Sequence, residues 1–595
     1  MIYLGWWSQH DIKNKTFALT SILQQHIDLQ TSFIVRKNLV LVYGKQHPNQ
    51  DMDQVWDNDS SILLGRIFDR ERFGAITPQE FSELAQKFTQ GLPKKIWGKY
   101  VYWHMDATDK LSVMVDPTGQ LPCFYYSLPG GDLIFSSNIE LIQRYLMSPL
   151  GYNWHYLCSY LFYGNSSSIQ TPFKGVEEIP PGCVLNVISN THEINSFWNP
   201  FTSYGDFSLT SMDAVDVLQS TLRSMIEPYE NICVSLSGGL DSSSLVYCLS
   251  EIVRPNQKLS AINYFHSAVQ SSNEIQYANK VCEEVGINLT KIDSSQILPF
   301  DSCETNQVLK FNKPFPGCIN SVVNNIPHYL PSAGSCILLN GHGSDHIFMH
   351  PPTKKSIADY WLMHGIQGLL SKIKEITHFY RDSLTPILIQ NIASLMRYAV
   401  AKKPEKRGST APQDKPPYWL KSQLNLYKTD EFAHPAYYDV PSRMLPGKYD
   451  QIDRLYEGLA SVHVSTHPYY PEQYPFFCEP IVNFALSFPT YDLFQKGYDR
   501  YPLRQSISSR FQSDTVWRRD KSQTTGILQL GVKKNIDSVI ELCVEGEMVK
   551  QGFVDKEGLL QTILLISNGD HNHLWPFIHI ASIEIFLKMW SAKSL

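Results

Sequence analysis

Residues 231–243 read Asn231-Ile-Cys-Val-Ser235-Leu-Ser237-Gly238-Gly239-Leu240-Asp241-Ser242-Ser243, an apolar strand-like run that empties into a turn of serines and glycines. Leu245, Cys248, Leu249 and Ile252 then share one face at helical spacing, which predicts a helix from Ser242. Strand, glycine turn and helix in this order make a cradle for phosphate. The glycines allow close backbone approach, the helix start presents unpaired N–H groups, and the serine hydroxyls add donors. Asp241 adds a hard oxygen suited to Mg2+. Ser235, Ser237, Gly238, Gly239, Leu240, Asp241, Ser242 and Ser243 are therefore the expected nucleotide-binding positions. A lone Gly-Gly pair would read as a tight turn, but the serines and aspartate around this one favour phosphate. It is not a Walker A loop, which needs G-x-x-x-x-G-K-[ST].

Outward from this loop the pattern continues as strand and helix in alternation, the sign of a parallel α/β sheet with crossover helices. Strands are expected at Asn231 to Leu236, Leu259 to Phe265 and Cys336 to Asn340, with a helix through Ile275, Ala278, Val281 and Val285. Upstream, Ser211 is placed to cap a helix burying Val215, Leu218, Leu222, Met225 and Ile226. The first 200 residues carry short β-rich runs, Phe33-Ile34-Val35, Leu39 to Tyr43 and Val101-Tyr102-Trp103, and read as antiparallel sheet with a few helices. We place a domain boundary near residue 205, giving domains 1–205 and 206–595. Lys402 to Pro417, rich in Lys, Pro and polar residues, is expected to be a mobile surface loop. Beyond it the chain reads as mostly helical, with Ile481, Phe484, Ala485 and Phe488 as one buried stripe. No internal repeat is visible.

A chain of 595 residues exceeds one ordinary core, so two domains are the simplest expectation. Hydrophobic residues at 43% and charged residues at 18% exclude wholesale disorder. A net charge of −6 offers no basic field for a nucleic-acid backbone. The start lacks a signal-peptide pattern, and no apolar run reaches the roughly 20 residues of a membrane span. The reading is a cytoplasmic protein without membrane insertion. Eleven cysteines without a C-x-x-C pair fit buried, reduced thiols.

The Ser237-Gly-Gly-Leu-Asp-Ser242 loop resembles the signature of the asparagine-synthetase family of ATP pyrophosphatases. The resemblance implies an adenine-nucleotide α-hydrolase-like parallel domain with a helical C-terminal part, cleaving ATP to AMP and pyrophosphate. It also implies a second loop bearing an Mg2+ carboxylate, matched by Gly341-His342-Gly343-Ser344-Asp345-His346. Gly341, His342, Gly343 and Ser344 become nucleotide positions and Asp345 the second metal ligand. Where the family has a Glu after that Asp, this chain has His346. Four-residue spacing of His342 and His346 raises a transition-metal site, but the glycines favour a loop, and Mg2+ prefers oxygen. His571 and His573 read as a polar loop.

Gly497-Tyr-Asp-Arg500-Tyr-Pro-Leu503-Arg504, followed by Trp517-Arg518-Arg519-Asp520-Lys521 and Gly526, looks like the family segment that delivers a catalytic lysine. A cation there would stabilise negative charge on the α-phosphate and on the tetrahedral intermediate. Lys521 takes that role and Arg519 is the fallback, because an ungapped reading places the family lysine at Asp520. The stretch from Tyr474 to Pro489 is similar to a family helix entry, and spacing does not decide whether Glu479 reaches the site.

Trp97-Gly98-Lys99-Tyr100, Asp116-Pro117-Thr118-Gly119 and Thr171 to Gly182 resemble the family's amidohydrolase domain, which implies an antiparallel β-sandwich. Glutamine-using members present an N-terminal cysteine nucleophile. Here position 2 is Ile2 and the first cysteine is Cys123, so no glutaminase is expected and the domain reads as scaffold or docking surface. Ammonia-using asparagine synthetases, β-lactam synthetases and lasso-peptide macrolactam synthetases all fit a chain without glutaminase. The last fit best, through Asp-His after Gly-His-Gly, Tyr-Asp-Arg-Tyr-Pro-Leu-Arg and a lysine four residues after a tryptophan. That resemblance implies adenylation of an Asp or Glu side chain in a precursor peptide by ATP with Mg2+, and closure by the peptide's own α-amine. It implies a leader peptidase and a leader-binding protein as partners. A non-catalytic nucleotide-binding regulator is the competing class.

Overall fold

The computed structural model describes residues 1–8, 15–25, 31–45, 52–85, 92–108, 110–164, 167–188, 191–204, 212–267, 269, 273–301, 310–319, 329–331, 334–381, 383–400, 417–421, 432–464, 472–519 and 525–591. Its N-terminal part is a sandwich of two six-stranded sheets in which every described strand pair is antiparallel. The expected runs fall in strands Thr31–Val35, Leu39–Gly44 and Ile96–Met105. Alternation along the strands builds the core between the sheets. Tyr3, Trp7, Leu39 and Leu41 from one sheet meet Ile62, Leu64, Val101 and Trp103 from the other.

The outer face of the first sheet does not face water. Ile2, Leu4, Trp6, Val40 and Val42 share one apolar cluster with Phe577, Ile580 and Ile583 of the helix Leu574–Ser591. The last helices of the chain thus cover the sheet formed by its first strand, a long-range pairing no local pattern announces.

The second domain holds five parallel strands in the order Asn288–Asp293, Lys258–Phe265, Asn231–Ser235, Cys336–Asn340, Glu472–Gln473. Helices Ala214–Ile226, Leu240–Ile252 and Ile275–Val285 pack around it, and the chain beyond 432 is mainly helical. Buried residues of the strands, Ile232, Val234, Ile337 and Leu339, join Leu245, Leu249 and Ile481 in the main core. Phe484 and Ala485 are buried there too, while Phe488 is only partly covered.

Several expectations need correction. The helix expected from Ser242 begins at Leu240, because Gly239 itself serves as N-cap, and this places Asp241 and Ser242 in the first turn. Ser211 lies outside the described residues, and the cap of the helix Ala214–Ile226 is Asp213. Its carboxylate accepts from Asp216 N at 2.9 Å, and the Asp216 side chain accepts from Asp213 N at 3.3 Å. The loop expected at 402–417 lies outside the described residues up to 416, as does residue 205. Among the described residues no helix is long and apolar enough to cross a membrane. The ten described cysteines are all buried thiols.

Candidate active site

The strand order reverses direction at Asn231–Ser235: the next two strands in sequence are added on one side of it and Cys336–Asn340 on the other. Ligands of open α/β sheets bind in the crevice at the carboxyl ends of the strands at such a switch point. Ser235 is in register with Asn340, so both glycine loops leave the sheet side by side at that end.

The first loop is held open by its own hydroxyls. Ser237 N donates to Ser242 Oγ at 3.1 Å, the two hydroxyls lie 3.1 Å apart, and Gly239 N donates to Ser237 Oγ at 3.2 Å. Gly238 has φ of +85°, and a Cβ there would stand 2.8 Å from Ala278 N and 2.9 Å from Tyr277 Cβ. Only glycine fits between the loop and the helix Ile275–Val285. The Gly239 cap has no side chain to satisfy the amides of the first turn, which leaves them to a ligand or water. Ser243 and Ser344 are buried, and their hydroxyls have no hydrogen-bond partner among the described residues.

The second loop packs on the first, since a Cβ on Gly341 would lie 2.7 Å from Ser242 N. Asn340 shapes it: its Oδ1 accepts from His342 N at 2.9 Å and its Nδ2 donates to Glu472 at 2.9 Å. Residues Ser344–Ile347 form one helical turn where the glycines had suggested loop. His342 and His346 do not converge as a ligand pair. Their rings meet edge to face with centroids 5.1 Å apart. His342 Nε2 pairs with Ser461 Oγ at 2.9 Å, and His346 Nδ1 lies 3.0 Å from Arg454 O. A carbonyl only accepts, so His346 carries its proton on Nδ1. Among the described residues no group of three or more His, Cys, Asp or Glu side chains is placed to hold a metal.

Asp241 and Asp345 do converge. Arg500 Nη1 donates to both oxygens of Asp241, at 2.8 and 2.9 Å, and to Asp345. Burial alone would weaken the Arg500 charge, but Asp241, Asp345 and Asp499 more than offset it and hold its pKa above the ordinary arginine value. Burial would likewise raise Asp499; hydrogen bonding to His350 and the charges of Arg500 and Arg504 instead keep its carboxyl well below the usual range. One cation already reaches both site carboxylates, so the pair would also fit a shared divalent ion such as Mg2+.

The cationic segment is tied to this network. Arg504 donates to Asp499 Oδ1 and Asp499 O, each at 2.8 Å, and its Nη1 reaches Val516 O and Arg518 O. Arg518 pairs with Glu274 and lies 4.0 Å over the ring of Tyr277, the residue that walls Gly238. Arg519 is exposed and lies 4.5 Å over Tyr498. Asp520 and Lys521 lie outside the described residues. The sequence reading assigned no role to Arg500, Asp499 or His350, although Arg500 and Asp499 stand inside the quoted 497–504 motif.

A family model described as asparagine synthase matches residues 215–591, and one described as a glutamine amidotransferase domain matches residues 83–198. The chain belongs to the asparagine synthase family. Among its relatives, the microcin J25-processing protein McjC of Escherichia coli is 22% identical over 410 residues, 67% of this chain and 64% of that protein. Amidase chyE of Penicillium rubens is 21% identical over 256 residues, 39% of this chain and 37% of that protein. The chain thus spans less than two thirds of the length of either relative. The solved structure of the allosteric regulatory enzyme of purine biosynthesis covers 56% of this chain and is itself covered to 89%, at 10% identity and a TM-score of 0.23.

Two further residues of this asparagine synthase family chain lie away from the carboxylate pair. Glu479 turns to the N-terminal sandwich, where its oxygens accept from Arg70 at 2.6 and 2.9 Å. Cys123 is fully buried, and burial pushes its thiol up to about 12, so it offers no thiolate nucleophile near neutral pH.

Proposed function

We propose that this protein is an ATP-dependent, AMP-forming carbon–nitrogen ligase that closes a macrolactam. It adenylates an Asp or Glu side chain of a precursor peptide and joins it to the peptide's N-terminal amine, as in lasso-peptide maturation. The observation that carries the reading is the convergence of Asp241 and Asp345 on one cation at the switch point of the parallel sheet. The likeness to a microcin-processing protein supports a peptide substrate over a free amino acid.

In this reading Asp241 and Asp345 would hold Mg2+, whose charge would offset that of the phosphates. The amides at the start of the helix Leu240–Ile252, with Ser237, receive phosphate oxygens. Ser235, Gly238, Gly239, Gly341, His342 and Gly343 shape the walls. A peptide carboxylate oxygen attacks the α-phosphorus and pyrophosphate leaves. The amine then attacks the acyl carbon, AMP leaves with the bonding electrons, and the amine's proton passes to solvent. Lys521, with Arg519 as fallback, stabilises the oxyanion. Arg518, fixed at Glu274 and Tyr277 beside the Gly238 loop three residues before Lys521, supports that assignment. Holding the amine against the adenylate within one folded peptide contributes on the order of 7–11 kcal/mol.

We place the domain division near residue 205, the enzyme in the cytoplasm, and a leader peptidase and leader-binding protein beside it. In this reading the peptide's own N-terminus supplies the amine. The test is pyrophosphate release with ATP and Mg2+, comparing the processed precursor with free aspartate plus ammonia. Release with the peptide alone, with loss of one water mass and abolished by Asp241→Ala, supports the proposal. Release with aspartate moves the protein to amino-acid amidation, and release with neither makes it a nucleotide-binding regulator.

A further inference from the structure

Arg500 occupies an unusual place for a cation. Its side chain is only 5% exposed, it reaches Asp241 and Asp345 from a single nitrogen, and its Nε lies 3.2 Å from Asp499. It sits at a left-handed backbone position, φ +49°, at the N-cap of the helix Tyr501–Phe511. Three carboxylates therefore surround one guanidinium. Arg504 and His350 share Asp499, and the charge of Asp241 also acts on Arg504.

We propose that Arg500 is a built-in counter-cation that competes with the divalent metal for Asp241 and Asp345. Metal then binds tightly only in company with a nucleotide, whose phosphates give the guanidinium a new partner. This rests on the preceding assignment of the two aspartates as metal ligands.

Two carboxylates within reach of one nitrogen repel each other and require a positive charge between them. Arg500 supplies it with hydrogen bonds near 2.8 Å, whereas Mg2+ requires the same oxygens at about 2.1 Å in octahedral array. Both cannot use those oxygens together, and a guanidinium deprived of them in a buried site repels the incoming ion. An arginine does not escape by losing its proton. Phosphate oxygens resolve the conflict because they accept from a guanidinium in the same forked geometry as a carboxylate.

The test is Mn2+ binding to the full chain, followed by electron paramagnetic resonance without peptide, with and without an ATP analogue bridged by methylene between its α- and β-phosphates. Wild type is expected to bind Mn2+ weakly alone and at least about tenfold more tightly with the analogue. Arg500→Gln should bind Mn2+ alone at least about tenfold more tightly than wild type, with a smaller gain from the analogue. Arg500→Lys, which keeps the charge, should resemble wild type, and it carries the test if the Gln variant does not fold. The proposal is overturned if Arg500→Gln binds Mn2+ no more tightly than wild type, or if Arg500→Lys binds it alone as tightly as wild type does with the analogue. Those results leave the metal assignment standing. Failure of wild type to bind Mn2+ even with the analogue overturns the assignment of Asp241 and Asp345 along with it.

Discussion

Arg70 and Glu479, 409 residues apart, form a bidentate ion pair that joins the antiparallel sandwich to the helix Glu479–Ser487 of the parallel domain. Arg70 also donates to Pro93 O, Lys94 O and Ile96 O, so its guanidinium is fixed before it meets Glu479. Replacing Arg70 by Met leaves the buried Glu479 carboxylate with Asn483 Nδ2, at 3.3 Å, as its side-chain donor among the described residues. We expect Arg70→Met to lower unfolding free energy by about 3 kcal/mol, and Arg70→Met with Glu479→Met to recover part of that loss. A urea-melt double-mutant cycle measures it. An additive double variant would contradict direct coupling.

Gly238 and Gly239 differ in what they tolerate. Gly238 has positive φ and backbone atoms where a Cβ would go, whereas a Cβ on Gly239 would meet only Ser237 Oγ, at 3.3 Å. Gly238→Ala is expected to displace the loop, cost about 1–2 kcal/mol from the backbone conformation alone, and slow pyrophosphate release about 100-fold. Gly239→Ala should retain far more activity. Equal losses in thermal melts and pyrophosphate assays would refute the distinction.

His346 stands where relatives of the asparagine-synthetase type carry Glu, and restoring the glutamate should fail. Nδ1 of His346 donates to Arg454 O, and a carboxylate in its place would face that oxygen without a proton to share. His346→Glu is expected to cost about 1–3 kcal/mol, whereas His346→Asn keeps a donor and should cost less. Chemical denaturation ranks the two variants, and a more stable Glu variant would contradict the assigned tautomer.

Glu584 gives the stability a pH dependence. Burial raises its carboxyl to about 7, against backbone N–H bonds from Met548 and Glu547 that lower it. The folded state therefore holds a proton that the unfolded state releases near 4.5. This contribution is full below the unfolded value and is lost as pH rises through about 7. Relative to wild type, Glu584→Gln should gain on the order of 2 kcal/mol between pH 5 and pH 8. Melts at both values test this, and a difference that does not change with pH would refute it.

Much of the site was legible because its signals are local. Strand-loop-helix patterning set the first loop, and the Gly-His-Gly-Ser-Asp run marked the second. What patterning missed depends on capping by an adjacent turn or on neighbours remote in sequence. The start of the helix at Leu240 shifted because the glycine turn supplies its own cap, and the turn at Ser344–Ile347 formed against Phe476 and Phe477, which a Cβ on Gly343 would strike at 3.0 Å. Nothing in Gly-Tyr-Asp-Arg tells which carboxylates the Arg500 guanidinium will meet.

The sequence by itself determined the two-domain α/β class, the parallel strands around Asn231–Ser235 and the aspartates that close each glycine loop, because period, glycine conformation and residue chemistry act within a few positions. Only the tertiary structure decided that Asp241 and Asp345 share one cation, that His342 and His346 turn to Ser461 and Arg454, and that the last helix covers the sheet of the first strand. These relations join residues that are 100 or more positions apart. Packing and charge compensation select them only when the whole chain is folded.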